Sequence, residues 1–83
     1  MFTNKSRDGY NNLCGAVTEK QRKQMGKSQR QLADMLQIAG LDIDKNAIQR
    51  IEARKRFVTD IELTYFSKVL NLPYEALLVI SED

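Results

Sequence analysis

Eighty-three residues are enough for one small domain, and a chain of that size buries only about 60% of its unfolded surface, which leaves little material for an enclosed catalytic pocket. Hydrophobic residues make up 42% and charged residues 29%, an ordinary globular balance. With no histidine and a single cysteine, the commonest general base, an internal disulfide and a zinc site are all excluded, so neither an enzyme nor a cofactor or metal is expected.

No apolar run approaches the ~20 residues that span a bilayer. Met1 to Asn12 is polar and lacks the apolar core of a secretory signal. These features predict a cytoplasmic protein with no membrane partner. The net charge of +2 hides an asymmetry: residues 1–58 hold twelve Lys/Arg against six Asp/Glu, and residues 59–83 one Lys against five Asp/Glu. A basic part beside an acidic one suggests a polyanionic partner on one side.

Residues 1–11, with the turn signal Asp8-Gly9, read as a flexible N-terminal arm, and residues 12–83 as the folded domain. Asn11 or Asn12 can cap a first helix running to about Met25, with Gly26 suited to the left-handed position beyond it. Its apolar residues are Leu13, Ala16, Val17 and Met25, and Cys14 reads as a buried apolar group. Ser28 caps a second helix, in which Leu32, Met35 and Leu36 recur at helical spacing beside the small Ala33. Residues 38–43 form a turn too apolar for full exposure. Asp44 caps a third helix, read as extending to about Arg54, where its carboxylate suits the positive helix end.

At about 100° per residue, Lys45, Asn46, Gln49 and Arg50 share one face of the third helix with Ala53. Ala47, Ile48 and Ile51 share the other, with Glu52 at its edge. Thr59-Asp60-Ile61-Glu62 is a capping-box sequence opening a fourth helix with Ile61, Leu63, Phe66, Val69 and Leu70 as expected core. Asn71 suits a left-handed stop. Pro73 fits the first turn of a short fifth helix carrying Leu77 and Leu78. The expectation is an all-α, compact five-helix bundle.

The polar face of the third helix matches the chemistry of base edges: Arg or Lys suits guanine O6 and N7, and Asn or Gln suits adenine N6 and N7. Lys20, Arg22, Lys23, Lys27 and Arg30 around the first interhelical junction, and Arg54, Lys55 and Arg56 after the third helix, can reach phosphates flanking a groove. The N–H groups at Ser28 can do the same.

Ser28-Gln29-Arg30-Gln31-Leu32-Ala33-Asp34-Met35-Leu36, followed by Ile48-Gln49-Arg50-Ile51-Glu52, a basic stretch and Leu70-Asn71-Leu72-Pro73-Tyr74-Glu75-Ala76-Leu77-Leu78, resembles the Cro/phage-repressor (Xre-type) helix-turn-helix family. The resemblance covers about Leu13 to Leu78. It implies a lambda-repressor-like fold and a sequence-specific, repressor-like transcriptional regulator that binds double-stranded DNA as a homodimer, bacterial or phage-encoded and nucleoid-associated when bound. By resemblance Gln29 contacts a phosphate and braces the recognition helix, and Lys45, Asn46, Gln49 and Arg50 face the groove. Arg22 pairs internally with Glu52, which removes Arg22 from the phosphate contacts. Ser28, Lys27, Arg30, Arg54, Lys55 and Arg56 remain as candidates there.

The chain departs from the family pattern in three places. The turn between helices two and three is about five residues longer, and Leu41 and Ile43 are expected to anchor it. Thr18, Gln21 and Lys27 stand at usually apolar positions. Ala53-Arg54 replaces the frequent Asn/Ser-Gly ending, which predicts a third helix extended toward Lys55. The exposed parts of Leu72, Tyr74, Leu78, Val79 and Ile80 offer either a dimer contact or core completion. A protein-interaction module on the same scaffold, such as an antitoxin or anti-repressor, is the second functional reading.

Overall fold

The computed structural model describes residues 10–78. Those residues form five helices and no strand: α1 (Gly15–Gln24), α2 (Gln29–Ala39), α3 (Lys45–Glu52), α4 (Asp60–Leu70) and α5 (Tyr74–Leu77). Most of the proposed arm, residues 1–9, and Val79 and Ile80 lie outside the described residues.

Local chemistry sets most of the helix starts. Ser28 Oγ accepts from the Gln31 N–H while the Gln31 side chain accepts from the Ser28 N–H, and Thr59 and Glu62 make the same reciprocal pair. Asp44 accepts from the Ala47 N–H at 2.8 Å. At α1 the donor is the Gly15 N–H and the acceptor is Asn12 Oδ1, at 2.9 Å.

The helix ends are as explicit. Gly26, Gly40 and Asn71 take left-handed backbone, as a chain reversal after a helix requires. Arg54 does so too, with φ +63°. Its N–H reaches Ile51 O and the Lys55 N–H reaches Arg50 O, the paired bonds that close a helix. The third helix therefore stops at Glu52 and does not extend toward Lys55. An L side chain in this conformation costs roughly 1–2 kcal/mol, so Arg54 is retained against a local preference for glycine.

The core is one cluster built from all five helices and their connections, with Leu32, Leu36, Ile48, Ile51, Phe66, Leu70 and Leu77 essentially inaccessible. Helix α2 packs on α3 and α4, and α1 packs on α3, α4 and α5. The long turn between α2 and α3 is held inward by buried Ile43, by Leu41 against the core and by a 2.7 Å bond from Gln37 Nε2 to Ile43 O. Ile38 contributes nothing to that anchor, being 88% exposed. Ile61, expected in the core, is 67% exposed: it lies in the first turn of α4, off the side that carries Phe66 and Leu70. Ala16 is likewise exposed. The weak apolar stripe of α1 has a physical explanation, because the side facing the domain is made of Cys14, Gly15, Thr18 and Arg22.

Two of the polar departures meet different surroundings. Gln21 donates to Leu70 O at 3.0 Å, satisfying a carbonyl at the end of α4. Thr18 is fully buried and its hydroxyl has no oxygen or nitrogen partner. At Gly15 a Cβ would overlap Ile51 O and crowd the Arg54 side chain, so only glycine lets the start of α1 lie against the end of α3.

Candidate nucleic-acid interface

Helix α3 presents two chemically distinct sides. Ala47, Ile48, Ile51 and Glu52 are buried, and Lys45, Asn46, Gln49 and Arg50 are exposed. The four residues expected to read bases are thus brought onto one open surface. Asn46, Gln49 and Arg50 line a shallow recess of about 320 Å³ with Ala53 and Lys55. Its lining mixes amide donors and acceptors with two cations around a small apolar residue, a set able to meet base edges and phosphate oxygens together.

A second recess of about 300 Å³ opens between α2 and the start of α3, lined by Arg30, Ala33, Asp34, Gln37, Asp44 and Lys45. Helical spacing puts Lys45, Asn46, Gln49, Arg50 and Ala53 on the polar face, with no carboxylate among them. Asp44 caps α3 directly before Lys45, and the packing of α2 on α3 adds Asp34 to the same recess. Arg30 is exposed there.

Behind this surface lies a buried network. Arg22 Nε and Nη2 donate to the two oxygens of Glu52 at 2.7 and 3.0 Å, and Arg22 Nη1 donates to Lys27 O at 2.7 Å. The side chains are 9% and 3% exposed. The carboxylate raises the basicity of the Arg22 guanidinium, against the opposing effect of burial. Gln29 Nε2 completes the set by donating to Glu52 Oε1 at 3.0 Å. The expected ion pair and the bracing of α3 by Gln29 are both present. Ser28 is exposed, with its hydroxyl taken up by the helix cap, and Lys27 is half-buried.

The basic stretch after α3 divides. Lys55 is exposed at the recess. Arg56 instead makes a two-pronged pair with Glu62, at 3.0 and 2.8 Å. The guanidinium draws the Glu62 carboxyl below its ordinary range. Arg54 lies with its guanidinium carbon 4.1 Å from the Tyr10 ring centre and donates from Nε to Asn12 O at 3.2 Å. Both arginines, expected as phosphate ligands, are drawn into contacts within the chain. The competing partners are a capping glutamate and the residues before α1, which were read only for their local roles.

The segment just before α1 was also read as the end of a flexible arm. Tyr10 and Asn11 are instead fastened to the C-terminal end of α3. The Asn11 N–H donates to Arg54 O at 3.0 Å, Asn11 Nδ2 to Lys55 O at 2.7 Å, and Asn12 Nδ2 to Ile51 O and Arg56 O at 3.1 and 2.8 Å. Nothing in local spacing signals these bonds.

Cys14 is buried, and burial pushes its thiol up, away from the reactive thiolate. Among the described residues no group of His, Cys, Asp and Glu could hold a metal ion, and no helix is long and apolar enough to cross a membrane.

What the fold defines is an all-α five-helix domain with one anchored helix exposing a row of long polar side chains. No protein-family model matches the chain, and no curated protein matches it either.

Proposed function

We propose that the chain is a sequence-specific regulator of the Cro/phage-repressor helix-turn-helix type, which binds double-stranded DNA with α3 in the major groove. The observation that carries this reading is the division of α3: Lys45, Asn46, Gln49 and Arg50 all lie on its open side, and the opposite side is fixed by Ile48, Ile51 and the Arg22–Glu52 pair. A firmly seated helix that carries such side chains outward is what direct base readout needs. Lys55, Arg30, Lys27 and the helix start at Ser28 supply the backbone contacts, with Lys55 at the recess that Asn46, Gln49 and Arg50 line. Two such domains, related by a two-fold axis, would meet half-sites about one helical turn apart. The protein acts in the cytoplasm, on the nucleoid, and performs no catalysis.

A protein-interaction module on the same scaffold is the second reading, in which a protein partner would cover the exposed apolar side chains of Ile38, Phe57 and Ile61. The deciding experiment is a binding titration on a selected duplex and on scrambled duplexes at two salt concentrations. Asn46→Ala is expected to weaken binding to the selected duplex by about 1–3 kcal/mol and to relax preference at one base pair. Lys55→Ala is expected to weaken all duplexes alike and to flatten the salt dependence. Equal losses from Asn46→Ala on selected and scrambled DNA would remove sequence readout. Absence of salt-dependent binding would favour the interaction module.

A further inference from the structure

We infer that Asn11 is a positioning residue for the backbone contact made by Lys55, acting with Asn12 as a clamp on the chain that leaves α3. The inference rests on the DNA reading above and deepens it.

After Glu52 the chain has no helix until Asp60, so the place of the Lys55 ammonium depends on how firmly its backbone is held. A lysine is a point charge on a flexible stem, and its position is only as defined as its Cα. Residues 11 and 12 supply that definition: four carbonyls at this end, those of Ile51, Arg54, Lys55 and Arg56, accept from Asn11 and Asn12. The bond to Lys55 itself, from Asn11 Nδ2, is the shortest of them at 2.7 Å.

The same bonds have an electrostatic consequence. A backbone carbonyl left without a donor presents an acceptor oxygen of partial negative charge, and three of these four, those of Arg54, Lys55 and Arg56, belong to the loop just beyond α3. Left open beside the recess, these carbonyls would oppose a phosphate. Turned toward two amides, they leave Lys55 as the outward charge. Arg54 closes the clamp from the other side. Its left-handed backbone lets the Lys55 N–H reach Arg50 O, and its side chain folds back on Tyr10 and Asn12. A glycine would make the turn more easily, but it would supply neither contact. Arg54 therefore serves the clamp rather than a phosphate.

The test compares wild type, Lys55→Ala, Asn11→Ala and the double variant on selected and scrambled duplexes over a salt series, with folding checked by circular dichroism. Loss of one phosphate contact makes the slope of log K against log salt shallower by about 0.9. Asn11→Ala is expected to reproduce the shallower slope of Lys55→Ala, to leave the ratio between selected and scrambled DNA unchanged, and to add nothing in the double variant. Backbone amide exchange at Lys55 to Phe57 should quicken while that of Ile48 and Ile51 stays as in wild type. A folded Asn11→Ala with the wild-type slope, or additive losses in the double variant, would overturn the inference. If Asn11→Ala does not fold, Asn11→Ser, whose hydroxyl is too short to reach Lys55 O, carries the same comparison. Wild-type protein showing no salt-dependent binding would remove the DNA reading itself, and the clamp's proposed role with it. An unchanged slope in Asn11→Ala, when the wild type does bind, removes only the clamp.

Discussion

At its start, α3 is held by a side chain three residues away from the group it binds: Asp44 accepts from Ala47. At its end it is held by residues 23 to 44 positions distant, Gln29 and Arg22 through Glu52 and Asn11 and Asn12 through the carbonyls of residues 51 to 56. The first device works in any helix and is written in a short stretch of sequence. The second exists only when α1 and the segment before it lie against α3. The difference teaches which end of α3 depends on the rest of the domain, and that is the end where the chain turns out toward Lys55.

That comparison is most directly broken at Arg22. Arg22→Ala leaves the Glu52 carboxylate buried with Gln29 as its remaining side-chain donor. We expect a loss of about 3 kcal/mol, the low end for breaking a buried pair, because both side chains keep a little solvent contact. A cycle of Arg22→Ala, Glu52→Ala and the double variant, followed by denaturant unfolding, should show strong coupling, with the double variant less damaged than the two single losses predict. Simple additivity would mean that the distant partner does not hold this end of α3.

A smaller effect is expected at Gly15, where α1 meets the same end. Gly15→Ala places a methyl on Ile51 O, and relieving the overlap must separate the two helices. Overpacking of this kind typically costs about 1–3 kcal/mol. Since alanine is otherwise favoured over glycine inside a helix, a stabilised Gly15→Ala would show that the contact between α1 and α3 is looser than described.

The local end should be the mildest. Asp44→Ala removes one cap bond, for a loss of about 1 kcal/mol, and Asp44→Ser should recover most of it. If Asp44→Ala were as damaging as Arg22→Ala, measured by the same unfolding curves, the contrast between a local and a tertiary end would fail.

How much of this was legible follows the same division. The caps at Ser28, Asp44 and Thr59, the left-handed stops at Gly26 and Asn71, and the division of α3 into buried and exposed sides were all readable. So were the buried quartet Ile48, Ile51, Phe66 and Leu70 and the inward anchor at Ile43. The resemblance, rather than any local pattern, supplied the Arg22–Glu52 pair. Arg54 and Arg56 were misread for one reason: a basic run looks uniform in sequence, although each cation answers to whichever carboxylate or ring the fold brings near. Glu62 reads as a cap, and it is one, but its carboxylate also holds Arg56. Asp44, the cap of α3, stands beside Lys45 by sequence alone, and Asp34 reaches the edge of the α3 surface only because α2 packs against α3.

The sequence by itself determined the five helices, their capped starts and the two sides of α3, because capping bonds and helical periodicity act over three or four residues; the end of α3 at Glu52 and the outward Ile61 were settled by the fold. Only the tertiary structure decided which cations remain outward, where the N-terminal segment is tied and why an arginine occupies a left-handed turn. Arg54 and the N-terminal segment meet across some forty positions, a distance at which no local spacing encodes a partner, and Arg56 meets Glu62 six residues on only because the loop after α3 turns back onto the start of α4.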